Sequence, residues 1–192
     1  MQRRHVLQAL LLATAAGTGL PARAANDIRF DDHTTVAGDK LVRNGAGVRT
    51  KVIFRLYAVA LYLAEKHTTS AGVLAAGGAR RVAIVMLRDI STESFGKAFT
   101  DGLNANTSKE ERTRLLPQTM RLGAVFGQLQ TLKKGDQLLV DWQPGVGTQC
   151  YLNGTKIGAA MPELAFYNAV LRIWLGDKPA DEQLKLALLG AN

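Results

Sequence analysis

The segment from Asn44 to Lys66, NGAGVRTKVIFRLYAVALYLAEK, constrains this chain more than any other part of it. It reads as a tight turn at Asn44-Gly45-Ala46-Gly47 followed by one long extended segment. Successive side chains of a strand point to opposite faces. The even positions Val52, Phe54, Leu56, Ala58, Ala60 and Tyr62 are all apolar or aromatic and predict a core face. The odd positions Arg49, Lys51, Ile53, Arg55, Tyr57, Val59, Leu61 and Leu63 begin cationic and hydroxyl-bearing and end apolar. A face graded in that way suits a molecule with an anionic head and an apolar body, which makes Arg49, Arg55 and Tyr57 candidate ligand-binding residues. It also suits an outer sheet face whose Lys and Arg are merely solvated.

The first 24 residues predict a signal peptide. Arg3 and Arg4 open a charged start, an apolar stretch runs from Val6 to Leu20, and Ala22-Arg23-Ala24 places small residues at both positions read by a signal peptidase. The paired arginines suggest the twin-arginine route. The apolar stretch is too short, and too broken by Gln8, Thr14 and Thr18, to span a bilayer. The mature domain is therefore expected at residues 25–192, in the periplasm or secreted. Loss of three arginines and no acid lowers the net charge from +8 to +5. The remaining Lys and Arg are scattered rather than clustered, which argues against a nucleic-acid partner. A single cysteine, Cys150, excludes an intrachain disulfide and reads as a small buried hydrophobe.

Along the chain, strands are expected at 28–30, 40–43, 81–88, 137–143, 148–152 and 155–157. Ser91 reads as a helix N-cap ahead of the stripe Phe95, Phe99 and Leu103. Ser108-Lys109-Glu110-Glu111 is a capping box opening a second helix, expected to bend or restart near Pro117. Asn153-Gly154 signals a hairpin. Leu164, Tyr167, Leu171, Trp174 and Leu175 mark an amphipathic helix, and a last one begins near Pro179 and stops at Gly190. This order predicts one α+β domain, an antiparallel sheet packed against a layer of helices.

Chemistry-bearing motifs are sparse. The histidines His5, His33 and His67 have no partners at metal-ligand spacing, so no metal is expected. Gly145-Val146-Gly147 lacks the third glycine of a dinucleotide fingerprint. No nucleophile elbow occurs, and no cofactor is implied.

Gly45-Ala-Gly-Val-Arg49, Lys51 to Arg55 and Ala58 to Leu63 resemble the chalcone isomerase fold family. Leu87-Arg88-Asp89, Lys133-Lys-Gly-Asp136, Pro144-Gly-Val-Gly-Thr148, Tyr151-Leu-Asn-Gly154 and Arg172-Ile-Trp-Leu-Gly-Asp-Lys178 resemble its bacterial, exported, chalcone isomerase-like branch. The resemblance implies an open-faced β-sandwich with a ligand cleft between sheet and helices. Plant isomerases of this family close a chalcone into a flavanone, using an arginine, a threonine, a tyrosine, a lysine and an asparagine. Arg49 matches the arginine, but Tyr57 stands at the threonine position, Phe95 at the tyrosine, and Ala98 and Gly102 near the lysine and asparagine. Without those polar groups the oxyanion and water of that reaction are not held.

An arginine with a tyrosine on this strand resembles instead the fatty-acid-binding branch, where the two groups grip a carboxylate at the end of an apolar tunnel. The resemblance implies that role for Arg49 and Tyr57, with Phe95 and Phe99 as core or tunnel wall. The expected protein is a non-catalytic binder of a small amphipathic anion such as a fatty acid. The alternatives are an intramolecular lyase, or a module with a collapsed cleft that binds another envelope protein.

Overall fold

The computed structural model describes residues 28–191. The expected signal peptide and the boundary at Ala25 lie outside the described residues. Nine strands and five helices follow in the order β1 (His33–Val36), β2 (Asp39–Lys51), β3 (Phe54–Leu63), α1 (Ser70–Ala75), β4 (Arg80–Met86), β5 (Ile90–Ser91), α2 (Thr92–Ala105), α3 (Lys109–Gly127), β6 (Thr131–Leu132), β7 (Gln137–Gln143), β8 (Gly147–Leu152), β9 (Thr155–Met161), α4 (Leu164–Leu175) and α5 (Glu182–Leu188). Seven strands form one antiparallel sheet in the order β1-β2-β3-β4-β7-β8-β9, while β5 and β6 make a short separate pair. The domain is α+β, with a helical layer on one face of a large antiparallel sheet.

Local signals place most elements. Ser91 and Ser108 cap α2 and α3 by accepting from the amides of Ser94 and Glu111. Asn153 and Gly154 both take positive φ in the β8–β9 turn, as an Asn-Gly hairpin requires. Differences are instructive. Residues 28–30 are irregular, and α3 runs unbroken through Pro117. A short helix, α1, occupies the Gly/Ala-rich connection between β3 and β4. Arg80, 1% exposed, closes its end by donating to the carbonyls of Val73, Leu74 and Ala76 and to Asn168.

The largest difference lies in the segment that opened the sequence reading. Asn44 to Lys66 is not one strand after a turn. The expected turn at Asn44–Gly47 is continuous with β2, and the chain reverses at Val52-Ile53. Val52 there holds φ of +58°, a left-handed conformation that costs a β-branched side chain about 1–3 kcal/mol. Gly45 and Gly47 serve close approach instead of turning. A Cβ on Gly45 would fall 2.6 Å from the Leu188 carbonyl oxygen, and one on Gly47 would fall 2.9 Å from Ala187 Cβ. They let α5 lie directly on β2.

The register slips near the hairpin: Arg49 pairs with Tyr57 but Thr50 pairs with Arg55, so Leu56 is an extra residue on β3. Such a bulge shifts side-chain parity by one. Beyond the bulge both faces of β3 are buried, so the single core face expected at the even positions is not what forms. The odd residues Tyr57, Val59, Leu61 and Leu63 pack in the main core beneath the helices, with Ile84, Met86, Leu138 and Val140. The even residues Ala58, Ala60 and Tyr62 are buried as well, with Ala60 and Tyr62 in a smaller cluster that includes Val36, Leu41 and Ala83. Val52 and Phe54 are exposed. α4 has eight of its twelve residues buried, the mark of a helix covered all round.

Candidate functional site

Eight residues along one strand would separate Arg49 from Tyr57 by about 26 Å. The hairpin instead makes them direct cross-strand neighbours. Arg49 Nη1 donates to the Tyr57 hydroxyl oxygen at 3.2 Å, with the guanidinium carbon 5.6 Å from the ring centroid. From the helical layer, Trp174 Nε1 donates to the same oxygen at 3.1 Å. A phenol oxygen that accepts twice keeps one proton to give. Burial pushes the Tyr57 hydroxyl above its ordinary pKa despite the opposing pull of Arg49 and the Trp174 hydrogen bond, so it stays neutral at neutral pH. Two donors therefore face one small space, a cationic guanidinium and a neutral O–H.

Arg49 is half-buried, and its Nε is buried without a hydrogen-bond partner. Among the described residues it forms no ion pair, whereas Arg43, Arg81 and Arg172 each hold a carboxylate. The nearby acid Asp181 is committed to the backbone, accepting from the amides of Thr50 and Leu184.

Three neighbouring spaces lie at or just beyond this pair. An open mouth of about 320 Å³ is lined by Arg49, Lys51, Leu56, Tyr57, Arg88 and Ser94, among others. A neck of about 20 Å³ lies between Arg49, Tyr57, Phe95, Phe99, Ile173 and Trp174. Beyond it, a second void of about 20 Å³ is walled by apolar side chains including Phe95, Phe99, Leu138, Phe166 and Trp174. Phe95 is common to all three, and Phe99 and Trp174 to the inner two. Each inner void has room for about one water. On the solvent side of the same phenylalanines, a groove of about 400 Å³ runs between α2 and α3 past Gly96 and Gly123.

Arg49, Tyr57, Phe95 and Phe99 are thus brought together at the neck. Arg55 is not. The bulge at Leu56 pairs it with Thr50, one step out of phase with Arg49, and it lines none of these spaces. Sequence reading missed Trp174 as a site residue, because an indole in an amphipathic stripe reads as core. It also missed Leu56, which the bulge turns towards the mouth, and Arg88.

Cys150 lines the inner void, but burial pushes its thiol up to about 12, so no thiolate nucleophile exists at neutral pH. Among the described residues no cluster of His, Cys, Asp and Glu could hold a metal ion. No described helix is long and apolar enough to cross a membrane.

A comparison with curated protein sequences found no significant match. Among solved structures, the chain is similar to the fatty-acid-binding protein of Arabidopsis thaliana, with a TM-score of 0.62, 12% identity, and coverage of 83% of this chain and 90% of that one. At that identity the likeness establishes the fold. The sequence profile of the chalcone isomerase-like family matches residues 22–190. The chain belongs to the chalcone isomerase-like family.

Proposed function

We propose that the protein is a non-catalytic binder of a small amphipathic carboxylate, a fatty acid, held with its head group on Arg49 and Tyr57. The observation that carries this reading is the half-buried Arg49 guanidinium, which pairs with no carboxylate among the described residues and leaves Nε unsatisfied at the neck of an apolar interior. A guanidinium beside a neutral phenol offers donors matched to a carboxylate, and Trp174 holds that phenol in place. The structural similarity to a plant fatty-acid-binding protein supports the same reading.

Catalysis of the isomerase type has little to work with. Phe95 carries no proton, and Ala98 and Gly102 carry no polar group. Gly102 instead lets α2 approach α4, since a Cβ there would lie 2.9 Å from Ile173 Cγ2. Loading a chain requires Phe95 and Phe99 to swing, which joins mouth, neck and inner void and borrows space from the α2–α3 groove.

The test compares a long-chain carboxylate with its methyl ester. Arg49→Ala removes a charge-assisted contact of roughly 1.5–3 kcal/mol, on the order of ten- to a hundredfold in acid affinity, and leaves the ester unaffected. Tyr57→Phe costs about 0.5–1.5 kcal/mol. Equal affinity of the wild type for acid and ester would show that no guanidinium reads the head group. No binding of either would mean that the interior stays shut, favouring a protein-interaction role.

We also propose, independently, that the protein works outside the cytoplasm, delivered by the leader expected at residues 1–24. Exported material is expected to begin within about one residue of Ala25 by N-terminal sequencing. Recovery of only the uncleaved chain would remove the export proposal without touching the ligand proposal.

A further inference from the structure

The tip of the β2–β3 hairpin is built unlike its neighbours. The β1–β2 turn uses Ala37-Gly38 and the β8–β9 turn uses Asn153-Gly154, each pair at positive φ. Val52-Ile53 carries neither glycine nor asparagine, and Val52 sits at φ +58° where a hairpin favours them. Local turn chemistry is sacrificed there to keep two branched apolar side chains. Those side chains face solvent: Val52 is 88% exposed and Ile53 79%. Phe54 beside them is 52% exposed, with the Arg88 guanidinium 4.7 Å from its ring centroid. Cations bracket the apolar tip as Lys51 and Arg55 in sequence and Arg88 in space. Among the described residues that line the mouth the acid is Asp89, which accepts a hydrogen bond from the Lys134 amide.

An apolar point ringed by cations is complementary to a bilayer bearing anionic head groups, where branched side chains enter the acyl boundary and Lys and Arg stay at the phosphates. We propose that the Val52-Ile53 tip docks this protein onto anionic lipid surfaces. The mouth lined by Arg49, Lys51 and Arg88 is adjacent to that tip, so docking would present the cleft to the membrane. The hairpin is the docking element, and α2 and α3 are not needed for it.

Vesicle flotation tests this without any fatty acid. The protein beginning at Ala25, which keeps every described strand and helix, is mixed with vesicles of phosphatidylcholine alone or with added phosphatidylglycerol. Binding is expected only with phosphatidylglycerol, and is expected to fall at high salt. Val52→Gly with Ile53→Asn installs ordinary turn residues, so thermal stability should hold or rise while vesicle binding drops about tenfold or more. Lys51→Gln with Arg88→Gln should abolish the preference for phosphatidylglycerol. Absence of wild-type binding to either vesicle would overturn the proposal. So would undiminished binding by the folded Val52→Gly, Ile53→Asn variant, and so would equal binding to both lipids. Retention of fatty-acid binding by that variant would leave the cleft reading intact whatever the vesicles show.

Discussion

Replacing Asp141 by alanine is expected to destabilise the fold by about 3–5 kcal/mol. For a chain of this size that is on the order of 10 °C in melting temperature. Asp141 is buried in the middle of the sheet, where its two oxygens accept from Arg81 Nε and Nη2, both at 2.7 Å. The paired geometry raises the pKa of Arg81 further, chiefly through these hydrogen bonds. Arg81 also donates to Thr34 Oγ1 at 2.7 Å, so the pair ties β4 and β7 to the edge strand β1. Alanine leaves a largely buried guanidinium with Thr34 Oγ1 as a hydrogen-bond partner but no carboxylate, and that uncompensated charge is the cost. The pair itself contributes far less, because its attraction is offset by desolvation of both partners. Arg81→Met combined with Asp141→Leu should therefore melt closer to wild type than Asp141→Ala alone. A single mutant within about 1 kcal/mol of wild type in urea unfolding would show that Arg81 finds water or another partner.

Gly45→Ala, the smallest possible change, is expected to match or exceed the roughly 1–3 kcal/mol typical of overpacking. The added methyl would meet backbone of Ala187 and Leu188 instead of a flexible side-chain end, so the obstacle cannot rotate away. The Asn44 side chain reinforces this junction by donating to the carbonyls of His67 and Leu188. The C-terminal helix must lift or β2 must bend. Either response reaches the site, because Asp181 at the N-cap of α5 accepts from the Thr50 amide, one residue beyond Arg49. The variant should lose carboxylate affinity as well as stability, whereas Gly77→Ala, in open space, should change neither. Hydrogen exchange in α5 is the direct measurement. Unchanged protection at Leu184 and Leu188 would sink the argument.

Elements whose cause is local were legible in the sequence. The caps Ser91 and Ser108, the Asn153-Gly154 turn and the charge-bounded apolar run that became β4 each act within a few residues, and the α+β order follows from them. Arg49, Tyr57, Phe95 and Phe99 were also nameable as candidates, the first two from the strand pattern together with the family resemblance, and the phenylalanines as core from a helical stripe and as cleft wall from the resemblance. Trp174 was not, because its role rests on one hydrogen bond to a residue 117 positions away.

What the tertiary structure alone decided is how the Asn44–Lys66 segment is divided and which way it faces. Period-two reasoning assumes an unbroken ladder with one buried face, whereas one inserted residue at Leu56 breaks the ladder and both faces of β3 beyond it are buried. The reversal at Val52-Ile53 has no turn residue to announce it, and pairing along β2 and β3 overrides the local preference of a β-branched residue. The glycines that read as a turn are instead demanded by a helix more than 130 residues away in sequence. The strand pattern, with the family resemblance, offered Arg49 and Tyr57 as candidates to grip an anion. Only the hairpin, the bulge and the packing of α4 set them side by side, because contact between distant residues depends on how strands pair and layers close.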